Sequence, residues 1–204
     1  MITLEKLLTY KKDSLIDAAE TLEATDIGQL VEWLSEKDDT IRYFSLLLLQ
    51  YRAQEHDDVY SYWDIFRGKL KSENSYQRSI GLMLIAENAK WDTEHRLDEM
   101  IDLYLSFCDD EKPITVRQCI QNICKIVPYK KHLYSKIVDK LISIDISERK
   151  ETQRKILLID IITVLASIRK LEPCEAIEFY ICNAMTGGIL DKKAKKQIEE
   201  ILNT

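Results

Sequence analysis

Four arginines recur along this chain at nearly equal steps. Arg42, Arg78, Arg117 and Arg154 are separated by 36, 39 and 37 residues. Each closes a similar tetrapeptide: Asp39-Thr40-Ile41-Arg42, Ser75-Tyr76-Gln77-Arg78, Ile114-Thr115-Val116-Arg117 and Glu151-Thr152-Gln153-Arg154. A period of this size marks an array of stacked supersecondary units, because a unit so small cannot bury its apolar face without a neighbour. The step is slightly short for HEAT repeats and slightly long for tetratricopeptide or ankyrin repeats. The signatures of those last two, W-x-x-L-G and T-P-L-H, do not occur, which leaves HEAT-like helix pairs.

Each arginine opens an amphipathic stretch. In the third unit Val116, Cys119, Ile120, Ile123, Cys124 and Val127 follow one stripe of a 3.6-residue helix. Ile41, Phe44, Leu48 and Leu49 do the same in the first unit, and Ile80, Leu84 and Ile85 in the second. Gly81 stands where the third unit has Ile120; a helical glycine costs about 1 kcal/mol of propensity, so a neighbouring helix is expected to approach closely there. The fourth stretch, Ile156 to Ile168, is apolar nearly all round and should be the most buried.

A partner helix precedes each stretch. Its stripes are Ile27, Leu30, Val31, Leu34; Val59, Tyr62, Trp63, Phe66; Leu97, Met100, Ile101, Tyr104, Cys108; and Leu133, Ile137, Val138, Leu141. Asp26-x-x-Gln29 and Asn74-x-x-Gln77 read as capping boxes, and Thr93 as an N-cap. Pro113 suits a first turn and Pro128 a helix end.

With 5 Gly and 3 Pro in 204 residues, turns are few and strands find no support. The fold expected is all-α: a right-handed α-solenoid of about four HEAT-like helix pairs with helical caps at both ends. It forms one domain over 1–204, with 1–24 as N-terminal cap, 25–170 as four repeats and 171–204 as C-terminal cap. No apolar run is long enough for a membrane helix and no signal peptide is legible, so a cytoplasmic protein is expected.

The segments Glu73-Asn74-Ser75-Tyr76-Gln77-Arg78-Ser79-Ile80-Gly81-Leu82, Ala89-Lys90-Trp91-Asp92 and Asp110-Glu111-Lys112-Pro113-Ile114-Thr115-Val116-Arg117-Gln118-Cys119 resemble a bacterial HEAT-like repeat family often labelled SufBD protein. The resemblance covers roughly residues 25–170. It implies an armadillo-type helical fold. It supplies no catalytic residue, and the label is not evidence of iron–sulfur assembly.

Chemistry-bearing motifs are sparse. The cysteines Cys108, Cys119, Cys124, Cys174 and Cys182 are odd in number and form no C-x-x-C, and His56, His95 and His132 are scattered. Buried reduced thiols, no metal and no cofactor are therefore expected. No P-loop, dinucleotide fingerprint or Ser–His–Asp or Cys–His pattern is visible, so no catalytic residue is assigned.

The arginine series reads as a structural ladder between repeats, or as a row of anion contacts on a concave face. Asp160, in the apolar run Ile156 to Ile162, needs a cationic partner if buried; Arg117 is the first candidate. Tyr62, Trp63, Tyr76, Arg78, Trp91, Lys112, Arg117 and Gln118 form a candidate concave binding patch, aromatic and arginine side chains being what binding hot spots use; helix packing is the competing role for the aromatics. Lys192, Lys193, Lys195 and Lys196 read as a solvated cap face.

The function expected is a non-catalytic protein-binding scaffold with an unknown protein partner, no membrane, and self-association as a further option. The alternative is nucleic-acid binding or a DNA glycosylase of the HEAT-like alkylpurine class. A sequence pI near 5.3 disfavours it.

Overall fold

In a computed structural model the described residues, 1–203, are all-helical, with twelve α-helices joined by short turns and 3₁₀ segments. Among the described residues there is no strand, and no helix is long and apolar enough to cross a membrane. Cα packing divides the chain into two compact units, Met1–Leu97 and Asp98–Thr204.

The first unit begins with α1 (Leu4–Thr9) and α2 (Leu15–Glu20), followed by α3 (Ala24–Trp33) and the long α4 (Asp39–Glu55). A 3₁₀ turn at Asp58–Tyr62 leads into α5 (Trp63–Lys69), and α6 (Ser75–Glu87) completes the set. Helix α4 packs against α1, α2, α3 and α6, and α5 packs along α6. Leu30, Leu34, Leu48, Leu49, Trp63, Phe66, Leu84 and Ile85 are buried in this core. Gly81 lets α5 close on α6: a Cβ there would lie 2.7 Å from the Phe66 carbonyl oxygen and 2.9 Å from Leu70 Cδ2.

The second unit holds most of α7 (Arg96–Ser106), then α8 (Pro113–Ile126), α9 (Tyr134–Ile142), α10 (Glu151–Leu171), α11 (Glu175–Thr186) and α12 (Lys192–Asn203). Helix α10 is its hub, touching α8, α9, α11 and α12. Its nearly continuous apolar surface is the reason: Leu157, Leu158, Ile161, Ile162, Val164, Leu165 and Ile168 are all buried, so several neighbours are needed to cover them.

Helix starts show where side-chain competition moves a boundary. Asn74 caps α6, accepting from Tyr76 N at 2.9 Å, but Gln77 does not turn back to complete a box; its amide donates to the Leu34 carbonyl instead. Asp26 is not an N-cap. It is buried at the third position of α3, where it accepts from Glu23 N at 3.0 Å and holds the chain start through Ile2 N. The acceptor at the start of α7 is Asp92 rather than Thr93, taking Arg96 N at 2.8 Å and Leu97 N at 3.0 Å. Two carboxylate oxygens satisfy two orphan donors there, where a threonine hydroxyl would satisfy one.

The thiols also divide. Cys108 and Cys119 are fully buried with sulfurs 3.7 Å apart, whereas Cys124 and Cys174 are half-buried and Cys182 is exposed. Uniform burial is therefore corrected: Cys182 lies on a solvent-facing side of α11.

Candidate functional site

The four periodic arginines do two different jobs. Arg42 Nη1 donates to the Glu36 carbonyl at 2.8 Å and its other terminal nitrogen contacts the Asp39 carboxylate. Arg78 Nη1 donates to the carbonyls of Ser72 and Glu73, both at 2.9 Å. Arg154 donates to the carbonyls of Arg149 (2.8 Å) and Ser147 (2.6 Å). Each ties down the turn just before its own helix, five to seven residues back in sequence. All three close the turn before their own helix, because turn carbonyls otherwise lack donors and a guanidinium can serve two at once.

Arg117 differs. Its Nε lies 2.6 Å from Asp160 Oδ2 and its Nη2 3.2 Å from Oδ1, a bidentate pair between α8 and α10. Gln121 Nε2 adds a third bond to Oδ1 at 2.9 Å. Asp160 is 8% exposed, so these donors replace water at a carboxylate that burial would otherwise penalise.

The eight residues of the expected patch are divided between the two units. Tyr62, Trp63, Tyr76, Arg78 and Trp91 belong to the first unit, and Lys112, Arg117 and Gln118 to the second. Trp63 is buried against the α5–α6 core and Arg78 is buried in its turn. Tyr62 is half-buried, its hydroxyl close to Gly28, where a Cβ would meet it at 3.1 Å. Trp91 follows α6 at its far end and donates from Nε1 to the Ala53 carbonyl at 2.7 Å; Tyr76 sits in the first turn of α6, so helix rise alone separates them by roughly 20 Å. In the second unit Lys112 is exposed beside Glu111, and Gln118 accepts from Asn122. Of the aromatic residues in the expected patch, Tyr76 alone is exposed, at 62%.

Around Tyr76 the first unit opens a groove of about 820 Å³ between the α3–α4 turn and the α5–α6 turn. Its rim carries Tyr76, Ile65 and Arg42; the guanidinium lies 5.7 Å from the Tyr76 ring centroid. Its lining also carries the buried Lys69, with Ser35 and Gln77 beside it. Lys69 Nζ donates to Ser35 Oγ at 3.0 Å and to Gln77 Oε1 at 2.6 Å. With Gln77 Nε2 engaged by the Leu34 carbonyl at 2.8 Å, the amide oxygen faces the ammonium. Burial pushes the Lys69 ammonium below its ordinary pKa, since removal from water disfavours the charged form.

The second unit has a smaller cleft, about 150 Å³, at the corresponding place between the starts of α8 and α10. Pro113, Val116, Arg117, Gln153 and Ile156 line it.

Lys69, Ser35 and Gln77 were absent from the sequence-based patch, although a signal for Lys69 exists. It stands three residues after Phe66 on the apolar stripe of α5, where a lysine breaks the pattern. Compared with family models, with curated proteins and with solved structures, the chain matches none.

Proposed function

We propose that this chain is a non-catalytic protein-binding module of HEAT-like helix pairs, binding a partner along the starts of its second helices. One observation carries the reading. In each unit a groove opens between the first turns of two consecutive second helices, α4 and α6 in one and α8 and α10 in the other, and pairs an arginine with exposed apolar side chains: Arg42 with Tyr76 and Ile65, Arg117 with Ile156. Repeat arrays bind on such recurrent surfaces, and arginine and aromatic side chains contribute strongly at protein interfaces. The first groove lies in the volume range of ligand sites but is open to solvent, which suits an extended segment better than a small molecule.

Charge agrees with a protein partner. The first unit carries 12 Lys+Arg against 18 Asp+Glu, and the second 17 of each. Neither is the strongly basic domain that phosphate neutralisation calls for.

The test compares capture from nuclease-treated host extract by the wild-type chain, Tyr76→Glu and Ile156→Glu. These side chains are exposed, so the fold tolerates the change, whereas charge reversal at Arg78 or Arg117 would break internal bonds. A polypeptide held by wild type and released by a groove variant supports the reading. Equal capture by all three chains contradicts it, and capture abolished by nuclease would favour nucleic acid.

A further inference from the structure

Lys69 is 9% exposed and has no carboxylate partner among the described residues. The comparison within this protein is Lys130 of the second unit, also buried, whose Nζ has the Asp98 carboxylate 3.7 Å away. A buried cation without a counter-charge is costly. The position of Lys69 as the last residue of α5, near that helix's negative end, offsets only part of the cost.

The neighbouring acceptors are already engaged. The α3–α4 turn carbonyl of Glu36 accepts from Arg42, and the α5–α6 turn carbonyls of Ser72 and Glu73 accept from Arg78. Lys69 keeps two neutral acceptors, Ser35 and Gln77. An ammonium has three donors, so one N–H is uncommitted beside an open groove. The charges lining the groove are Lys37, Arg42 and Lys69 against Glu36 and Asp39, an excess of one positive charge. The Arg42 guanidinium is bonded to Asp39, which leaves the buried ammonium as the fixed charge without a counter-ion.

We propose that the Lys69 groove is a carboxylate-reading site, in which a Glu or Asp side chain of an extended, acidic segment of a partner protein accepts the third hydrogen bond from Lys69 Nζ. A monoanion matches an excess of one charge. A phosphate dianion would meet Glu36 and Asp39 on the same lining and be repelled. Tyr76 and Ile65 on the rim cover the residues flanking the acidic one, and the bound carboxylate replaces the missing counter-charge, so most of the selectivity comes from the lysine. This inference rests on the protein-binding reading above and adds the chemistry of the segment bound.

The experiment is an array of acetylated, amidated twelve-residue peptides of randomised flanks with Glu, Gln or phosphoserine at the centre, probed with the full chain and with Lys69→Met. The variant removes a buried charge and retains an apolar stem, so it folds; a thermal melt checks this. The expected result is at least tenfold preference for Glu over Gln by wild type, falling to near parity in Lys69→Met through loss of the Glu peptides. Peptides bound without Glu preference, a preference that survives Lys69→Met, or a stronger hold on phosphoserine would overturn the carboxylate site and leave peptide binding standing. Failure to hold any peptide would overturn the site as well as the extended-segment form of the protein-binding reading.

Discussion

Asp160 and Lys69 present the same physical problem and solve it in opposite ways. Asp160 is buried with three donors on it, from Arg117 and Gln121. Removing the carboxylate leaves the guanidinium short of a partner, though Arg117 is 32% exposed and water can reach it. Asp160→Ala should therefore cost about 2–3 kcal/mol in urea unfolding, below the full penalty of a wholly buried ion pair. The doubly apolar Arg117→Met/Asp160→Leu should recover more than half of that loss, because no charge is then stranded. No recovery would mean that the pair contributes more than its own desolvation cost. Lys69 has no counter-charge. Its pKa in the folded chain is held below the ordinary value of 10.5, so between that lowered pKa and 10.5 the unfolded chain binds more protons and stability rises with pH. Below that window both states are protonated and the folded one bears the buried charge in full. Lys69→Met should accordingly be more stable than wild type at pH 7, with the gap narrowing as pH approaches 10.5. A gap independent of pH, read from denaturant midpoints, would show that the ammonium is not penalised by burial.

Among the helices, the α5–α6 pair is held close by a single glycine. Gly81 has the Phe66 carbonyl within 2.7 Å of any added Cβ, and that oxygen is backbone and cannot rotate away. Gly81→Ala gains about 1 kcal/mol of helix propensity, yet the overpacking it forces costs about 1–3 kcal/mol. The steric term should prevail, and the variant should melt lower than wild type; a higher melting temperature would contradict the close packing. Lys69 Cβ lies 3.3 Å from the same added carbon, so the groove lining should shift with it. This close approach was legible in the sequence as a glycine inside a helical stripe, and so was the hub role of α10, through its unbroken apolar run. Asp160 stood out as a charge in that run, and periodicity placed Arg117 as its partner. What was not legible follows a pattern. Thr93 and Gln77 are plausible local caps, but Asp92 offers two oxygens and Gln77 is drawn to Leu34 and Lys69, and those competitions are decided by tertiary neighbours. The arginine spacing did not reveal that Arg42, Arg78 and Arg154 close the turns before their own helices.

At the scale of the whole molecule, the starts of α4, α6, α8 and α10 recur in sequence every 36 to 38 residues, and in each unit the groove between two of them combines fixed cations with exposed apolar groups. Within the first unit the residues expected to share a patch are spread: Trp63 and Arg78 are buried, and Trp91 sits at the other end of α6 from Tyr76. Charge is 12 cations against 18 anions in Met1–Leu97 and 17 of each in Asp98–Thr204, so recognition is better sought in local grooves than in a global dipole. The most direct test places a photo-crosslinking benzoylphenylalanine at Tyr76 and, in a separate chain, at Phe179, an exposed aromatic on α11 that lies in neither groove. Irradiation in the host cell should join the chain to a distinct polypeptide from position 76 and not from 179. Crosslinks to nucleic acid at 76, or the same polypeptide from both positions, would contradict a binding surface at the second-helix starts.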